Sequence, residues 1–327
     1  MKNRTRTILF GALAALICLP APVAQAAAYP ERTITLVVPF APGGPTDIIA
    51  RILSESLSQS LKQSVIVENK PGAAGNLGMG QAARAKPDGY TLLLASTAIA
   101  VNPALFEKLP YDPIKDFAPI SELADSPNIV VVRPDSGINT IADLVARAKA
   151  KPGTFNYSSP GAGTKSHLTG EELKQRGGIE MTHIPYRGAG PAALAALEGT
   201  VQVASVALPA AEPLVQSGQL RGLAVTGAKR WPSLPNVPTM QEAGYPGFIS
   251  DTFSALFAPA GTPPEIIALL AEKCREAFAN DKARQTAQAA GFEVVAGTPE
   301  QLAARLASEI PAVKALVARA GIKVQQQ

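Results

Sequence analysis

The residues best placed to do chemistry lie in Phe40-Ala41-Pro42-Gly43-Gly44-Pro45-Thr46-Asp47, between an apolar run, Thr33 to Val38, and a helical pattern. That pattern puts Ile48, Ile49, Ile52, Leu53, Leu57 and Leu61 on one face. Proline suits a first helical position, because its missing N–H would be unpaired there and its φ is preset. Pro45 therefore marks the helix start and Gly44 its N-cap. The free amides of Thr46 and Asp47 then project from the positive end of the helix dipole, where an anion can be held without Lys or Arg. An ordinary βα turn has the same composition, and this stretch alone does not separate the two. Asp47 either caps the helix through the Gly44 amide or accepts from a ligand hydroxyl or ammonium.

Other loops that follow strand-like runs carry the same small and hydroxylated residues: Ser96-Thr97, Ser158-Ser159-Pro160-Gly161-Ala162-Gly163-Thr164-Lys165-Ser166, and Gly188 to Pro191. If they converge, they line a neutral, donor-rich cleft suited to carboxylates. Charge-assisted hydrogen bonds contribute about 1.5–3 kcal/mol each. Four or five would support micromolar binding, which needs ~8 kcal/mol after ordering costs. Glycine and serine also simply make turns.

Several catalytic readings fail on spacing. Pro160 to Ser166 imitates a phosphate-binding loop, but Thr164 stands where glycine must precede Lys165. His167 and His183 have no second His or Cys at metal-ligand spacing, so no metal or other cofactor is expected. His167 sits near a helix start, where it either packs or donates to a ligand. His183 lies within an apolar strand and reads as structural. Without a Gly-x-Ser-x-Gly elbow, a Ser-His-Asp hydrolase has no support, and the chain reads as a non-enzyme.

The first residues read as an export signal: basic Lys2, Arg4 and Arg6, an apolar stretch from Ile8 to Leu19, and the A-x-A site Ala24-Gln25-Ala26. Residues 1–26 are thus expected to be removed on export to the periplasm. The formal net charge of +4 then loses three positive charges, and a near-neutral chain lacks the dense basic face that nucleic-acid binding needs. Cys274 remains as a single cysteine, so no internal disulfide is expected; its apolar neighbours predict burial.

The elements that position these loops alternate between strands and helices up to Thr226, which predicts α/β architecture with parallel pairing. Strands are expected at 65–68, 91–95, 118–123, 128–133, 155–158, 181–184, 201–207, 220–226 and 252–258. Thr140 and Asp143 form a capping box for the helix that follows. After residue 258, three amphipathic helices dominate. Asn128–Arg133 and Thr252–Ala258 read as two crossings between lobes: residues 27–128 and 252–327 form lobe 1 with both termini, and 129–251 form an inserted lobe 2. Strand-end loops then face a cleft between them.

Three motifs, Pro39 to Asp47, Val67-Glu68-Asn69-Lys70-Pro71-Gly72-Ala73-Ala74-Gly75-Asn76 and Lys86 to Leu93, resemble successive signatures of one family. Asn102 to Leu105, Leu109 to Pro113, Asp116 to Pro119, His183 to Gly188, Leu234 to Thr239 and Ala258 to Pro263 continue the match. Together they are similar to the extracytoplasmic solute receptors of tripartite tricarboxylate transporters, the Bug family. The resemblance implies a two-lobe periplasmic-binding-protein type II fold that closes, as a monomer, on a small organic acid and delivers it to membrane permease subunits; presentation to a sensor is the alternative. It also implies that Phe40, Ala41, Gly43, Gly44, Thr46 and Asp47 hold one carboxylate. Ser158, Ser159, Gly161, Gly163, Thr164 and His167 match the second-lobe wall. Where the family carries an Asp and then a Phe-Asp pair after Gly199-Thr200-Val201, this chain has Gln202, Ser205 and Val206. Ser205 and Val206 are therefore expected to form a less acidic far pocket, favouring a dicarboxylate with an apolar body over an amino acid.

Overall fold

The computed structural model describes residues 29–319 and Ile322; the expected export signal lies outside the described residues. Its elements run β1 (Ile34–Val38), α1 (Pro45–Leu61), β2 (Val65–Asn69), α2 (Asn76–Ala83), β3 (Thr91–Ser96), α3 (Ala98–Leu105) and β4 (Phe117–Val132). They continue with α4 (Ile141–Ala150), β5 (Phe155–Ser159), α5 (Lys165–Gly177), β6 (Met181–Pro185), α6 (Ala189–Leu197), β7 (Val203–Ala207), α7 (Leu208–Gln216) and β8 (Arg221–Val225). The last are β9 (Asp251–Pro259), α8 (Pro264–Ala279), α9 (Asp281–Ala289), β10 (Glu293–Val294) and α10 (Pro299–Arg319).

Two lobes share one long strand. In lobe 1 the order is β2-β1-β3-β9-β4, with β10 on the far side of β4. In lobe 2, the end of β4 lies between β8 and β7, followed by β5 and β6. Pairing is parallel across β2-β1-β3 and β7-β5-β6, as alternation predicts. It is antiparallel wherever β4 or β9 takes part, because the chain leaves lobe 1 along one and returns along the other.

β4 runs unbroken for 16 residues, although the sequence suggests two strands. Pro119 and Pro127 look like breakers, yet register shifts at Pro119/Ser121 and Glu122/Ala124 absorb the irregularity. β4 changes partner after Pro127, which lies opposite Asp251, the first residue of β9. At this crossover the Asn128 amide donates to Thr226 Oγ1 at 2.8 Å, and the Thr226 amide donates to the Asn128 carbonyl at 2.9 Å. The Ser250 amide donates to the Thr226 carbonyl at 3.1 Å, so three buried polar residues satisfy one another where the lobes join.

Each lobe has its own core. Ile49, Leu53 and Leu57 of α1 pack with Ile34, Leu36, Leu270 and Phe278. Cys274 is buried in the same cluster, and burial pushes its thiol up to about 12, so it packs as a small apolar group. In lobe 2, the alanine face of α6 lies on β7 with Val201, Val206 and Leu208. The Thr140–Asp143 capping box forms as expected at the start of α4.

Helix α5 carries part of the cleft wall and lies directly on the fully buried ring of Tyr157. A Cβ on Gly170 would fall 2.2 Å from Tyr157 Cε2. Gly170→Ala gains about 1 kcal/mol of helix propensity, but forcing a methyl against a buried ring costs more. We expect a net loss of about 2 kcal/mol in urea unfolding. Wild-type stability in this variant would show that α5 does not seat on Tyr157.

Candidate ligand-binding site

The β1–α1 turn is built as its residue types require. Gly43 adopts φ +78° with nothing near its missing side chain, so conformation rather than space demands glycine. Gly44 is the N-cap and Pro45 opens α1. Asp47, 2 % exposed, holds the turn from behind. Its Oδ2 accepts from the Gly43 amide at 2.9 Å and from Arg51 Nε at 2.8 Å. Its Oδ1 accepts from Asn69 Nδ2 at 2.9 Å and Arg51 Nη2 at 3.1 Å, and Asn69 also donates to the Phe40 carbonyl. The capped amide is thus that of Gly43, one residue before the one expected. Burial pushes the Asp47 carboxyl up, but hydrogen bonds from Arg51, Gly43 and Asn69 outweigh it and hold the group below its ordinary range.

The facing wall comes from the β5–α5 loop. Thr164 is the N-cap of α5: its hydroxyl accepts from the His167 amide at 3.2 Å and donates to the Gly161 carbonyl at 2.9 Å. A Cβ on Gly163 would lie 2.5 Å from Asn102 Oδ1 in lobe 1, so only glycine lets the lobes approach there. Leu168 packs among Val101, Leu105, Phe106, Val313 and Val317, which seals one lip of the cleft.

Between these walls lies an inner cavity of ≈ 30 Å³. Lobe 1 supplies Phe40, Gly44, Pro45, Thr46, Ser96 and Thr252; lobe 2 supplies Pro160, Thr164, Lys165, Ser166, Ala189 and Ala207. The lining holds the first residues of α1, α5 and α6 and the N-cap of α7. Ser96 lies just before the first turn of α3, whose N-cap is Thr97. Five helix starts therefore converge on one small space, each bringing unpaired amides and the positive end of a dipole. Lys165 is the charged residue of this lining, and its ammonium is paired with Glu309 at 3.2 Å, both largely buried.

An outer chamber of ≈ 220 Å³ adjoins it and shares Phe40 and Pro160. Its walls are Pro39 and Pro71–Gly75 on lobe 1, and Gly161, Tyr186 and Arg187 on lobe 2. A larger groove of ≈ 490 Å³ lies elsewhere, beside the crossover strands around Trp231, Phe292, Asp125 and Asp251. It lacks the converging helix starts. Among the described residues no cluster of His, Cys, Asp or Glu could hold a metal ion.

Of the residues singled out in the sequence, Phe40, Gly44, Thr46, Ser96 and Thr164 line the inner cavity, and Phe40 and Gly161 the outer chamber. Ala41 meets lobe 2 at the rim, 3.5 Å from where a Cβ on Gly188 would lie. Gly43 is exposed on the turn, and Asp47, Thr97, Ser158, Ser159, Gly163 and His167 stand behind the walls: Thr97 Oγ1 accepts from the Phe253 amide, and Ser158 donates to the Ala192 carbonyl. Ser205 and Val206 do not line either space. Val206 faces the α6 side of β7 in the lobe 2 core, and the Ser205 hydroxyl donates to the Ser166 carbonyl at 2.7 Å. The cavity lies at the tip of β7, at Ala207, not along its body. Ser166 lines the inner cavity as part of the loop expected to do so, whereas Thr252, Tyr186 and Arg187 were missed; the last two follow a strand, the same loop position that identified the others.

His167 and His183 stack with ring centroids 4.1 Å apart behind the lobe 2 wall, and Tyr157 continues the stack. His183 Nε2 lies 2.7 Å from Ser159 Oγ, and the Gly163 amide donates to His167 Nδ1. Burial pushes His167 down to about 4 and His183 to about 3, so both rings are neutral and brace the loop.

This geometry defines a two-lobed solute-binding protein. The model of the tripartite tricarboxylate transporter family receptor matches residues 49–322, and the chain belongs to that family. Its structure is similar to that of the periplasmic binding protein BugD, with TM-score 0.87 and 36% identity over 91% of this chain and 100% of BugD. It is also similar to Rpa4515 from R. palustris with adipate, with TM-score 0.87 and 34% identity over 91% and 100%. MatC from Rhodopseudomonas palustris with bound malate gives TM-score 0.85 and 32% identity over 88% and 100%. The family consists of receptors, not enzymes, of the periplasmic-binding-protein type.

The histidine stack makes stability pH-dependent. Unfolded imidazoles take up protons below about pH 6.5, whereas the folded ones stay neutral to about 4 and about 3. The unfolded state then binds more protons, so stability falls as pH drops through that window. Glu122 and Asp125, raised by burial to about 7 and about 6, act with the opposite sign. The comparison that isolates the imidazole is wild type against His183→Asn: the variant is expected to lose ~1–2 kcal/mol less between pH 7 and pH 5 in urea unfolding. Identical pH slopes would contradict the buried neutral stack.

Proposed function

We propose that this chain is a periplasmic receptor that captures a small organic acid between its lobes and delivers it to the membrane permease subunits of a tripartite tricarboxylate-type transporter. Lobe 1 comprises residues 27–128 and 252–327, and lobe 2 residues 129–251. The observation that carries this reading is the convergence of five helix starts on a cavity whose one lysine is already paired with Glu309. Such a space favours a carboxylate and offers it hydrogen bonds worth about 1.5–3 kcal/mol each. Phe40, Gly44, Thr46, Ser96 and Thr164 contact the acid; Ala41, Gly43, Asp47, Thr97, Ser158, Ser159, Gly163 and His167 hold those contacts in place. The adipate and malate recorded for the two Rhodopseudomonas proteins support a dicarboxylate as the ligand class.

A thermal-shift screen of organic acids, followed by titration calorimetry, tests the reading, since a ligand that binds the folded state raises Tm. A dicarboxylate is expected to bind in the micromolar range and more tightly than aspartate or glutamate. Tighter binding of the amino acids, or no response to any acid, would reject it. Asp47→Ala removes the carboxylate that orients the Gly43 amide and leaves Arg51 without its ion-pair partner and Asn69 with the Phe40 carbonyl alone, so affinity should fall about tenfold, with a loss of about 1–3 kcal/mol in stability. Unaltered affinity would mean that the turn does not hold the ligand.

A further inference from the structure

The inner cavity is too small for a whole dicarboxylate. Its ≈ 30 Å³ is roughly two to three times the ~10–15 Å³ that a single enclosed water needs, room for a carboxylate head and little more. The remainder of a ligand must pass Phe40 and Pro160, the residues common to both spaces, and enter the ≈ 220 Å³ outer chamber. Both shared residues are apolar, so a spacer of methylene or aromatic character suits the passage between the two spaces.

The lining of the outer chamber includes an unused cation that is exposed to solvent. Arg187 is the charged residue of its lining, and among the described residues no carboxylate or carbonyl accepts from its guanidinium. Other cations around the cleft are already paired: Lys165 with Glu309, and Lys70 with Glu68. A guanidinium matches a carboxylate with two parallel hydrogen bonds.

We infer that Arg187 holds the distal anionic group of an elongated ligand, so that the site selects α,ω-dicarboxylates whose spacer reaches past Phe40 and Pro160. This assignment rests on the inner cavity being the seat of the proximal carboxylate. It moves the specificity-determining wall from Ser205 and Val206 to the β6–α6 loop.

The test is calorimetric titration of the full mature protein with succinate, glutarate, adipate and suberate, and with hexanoate as the monoacid matched to adipate. Wild type is expected to prefer adipate over both hexanoate and succinate. In Arg187→Met the ratio of adipate to hexanoate affinity should fall about tenfold, and Arg187→Lys should restore part of it. An unaltered ratio in Arg187→Met, or a wild-type preference for succinate over the longer diacids, overturns the assignment while leaving the proximal seat intact. Failure of every acid to bind wild type removes the proximal seat, and this assignment with it.

Discussion

The structure depends on helix starts meeting at one point. α1, α3, α5, α6 and α7 all begin at or beside the inner cavity, and each start carries amides that its own helix cannot satisfy. The partial charges are small, about half an elementary charge per helix. Their sum acts in a space lined mostly by buried residues, where solvent screening is weaker than at an open surface. Because the donors are backbone groups, they need no side-chain ordering when an anion arrives. Proline and glycine set the turns that aim them, and Asp47 and Thr164 lock those turns from behind.

The second requirement is that two lobes with separate cores keep a fixed relation. The crossover is a narrow weave of Asn128, Thr226 and Ser250, joined to α5 by the Ser166 hydroxyl on Asn128 Oδ1 at 2.6 Å and by contact between Thr169 and Ser250 at 2.8 Å. Next to it, Arg305 pairs with Glu122 and with Asp251 at 2.7 Å, and reaches Glu309 at 3.3 Å. Glu309 in turn holds Lys165 at the cavity. A line of charges thus runs from the crossover strands to the ligand wall. Partly buried pairs of this kind contribute little net stability, but removing one partner leaves an uncompensated charge. Their effect is to fix geometry.

Local rules were legible in the sequence. Pro45 and Gly44 declared the start of α1, Thr140 and Asp143 that of α4, and the apolar surroundings of Cys274 its burial. What depended on distant pairing was less so. β4 looked like two strands because Pro127 interrupts its pattern, and only its pairing with β9 shows the strand to be continuous. Thr252 enters the cavity through that same pairing. Ser205 and Val206 were misplaced because strand periodicity fixes which face a residue occupies, not whether the site lies beside the strand or at its end.

The most direct measurement is the amide nitrogen–proton NMR spectrum of the mature protein titrated with a dicarboxylate. If helix starts hold the acid, the largest proton shifts, to lower field, fall on the amides of Gly44, Thr46 and Ser166, residues that line the inner cavity. Shifts centred on the Trp231 groove, or confined to arginine and lysine side chains with these amides unmoved, would contradict it.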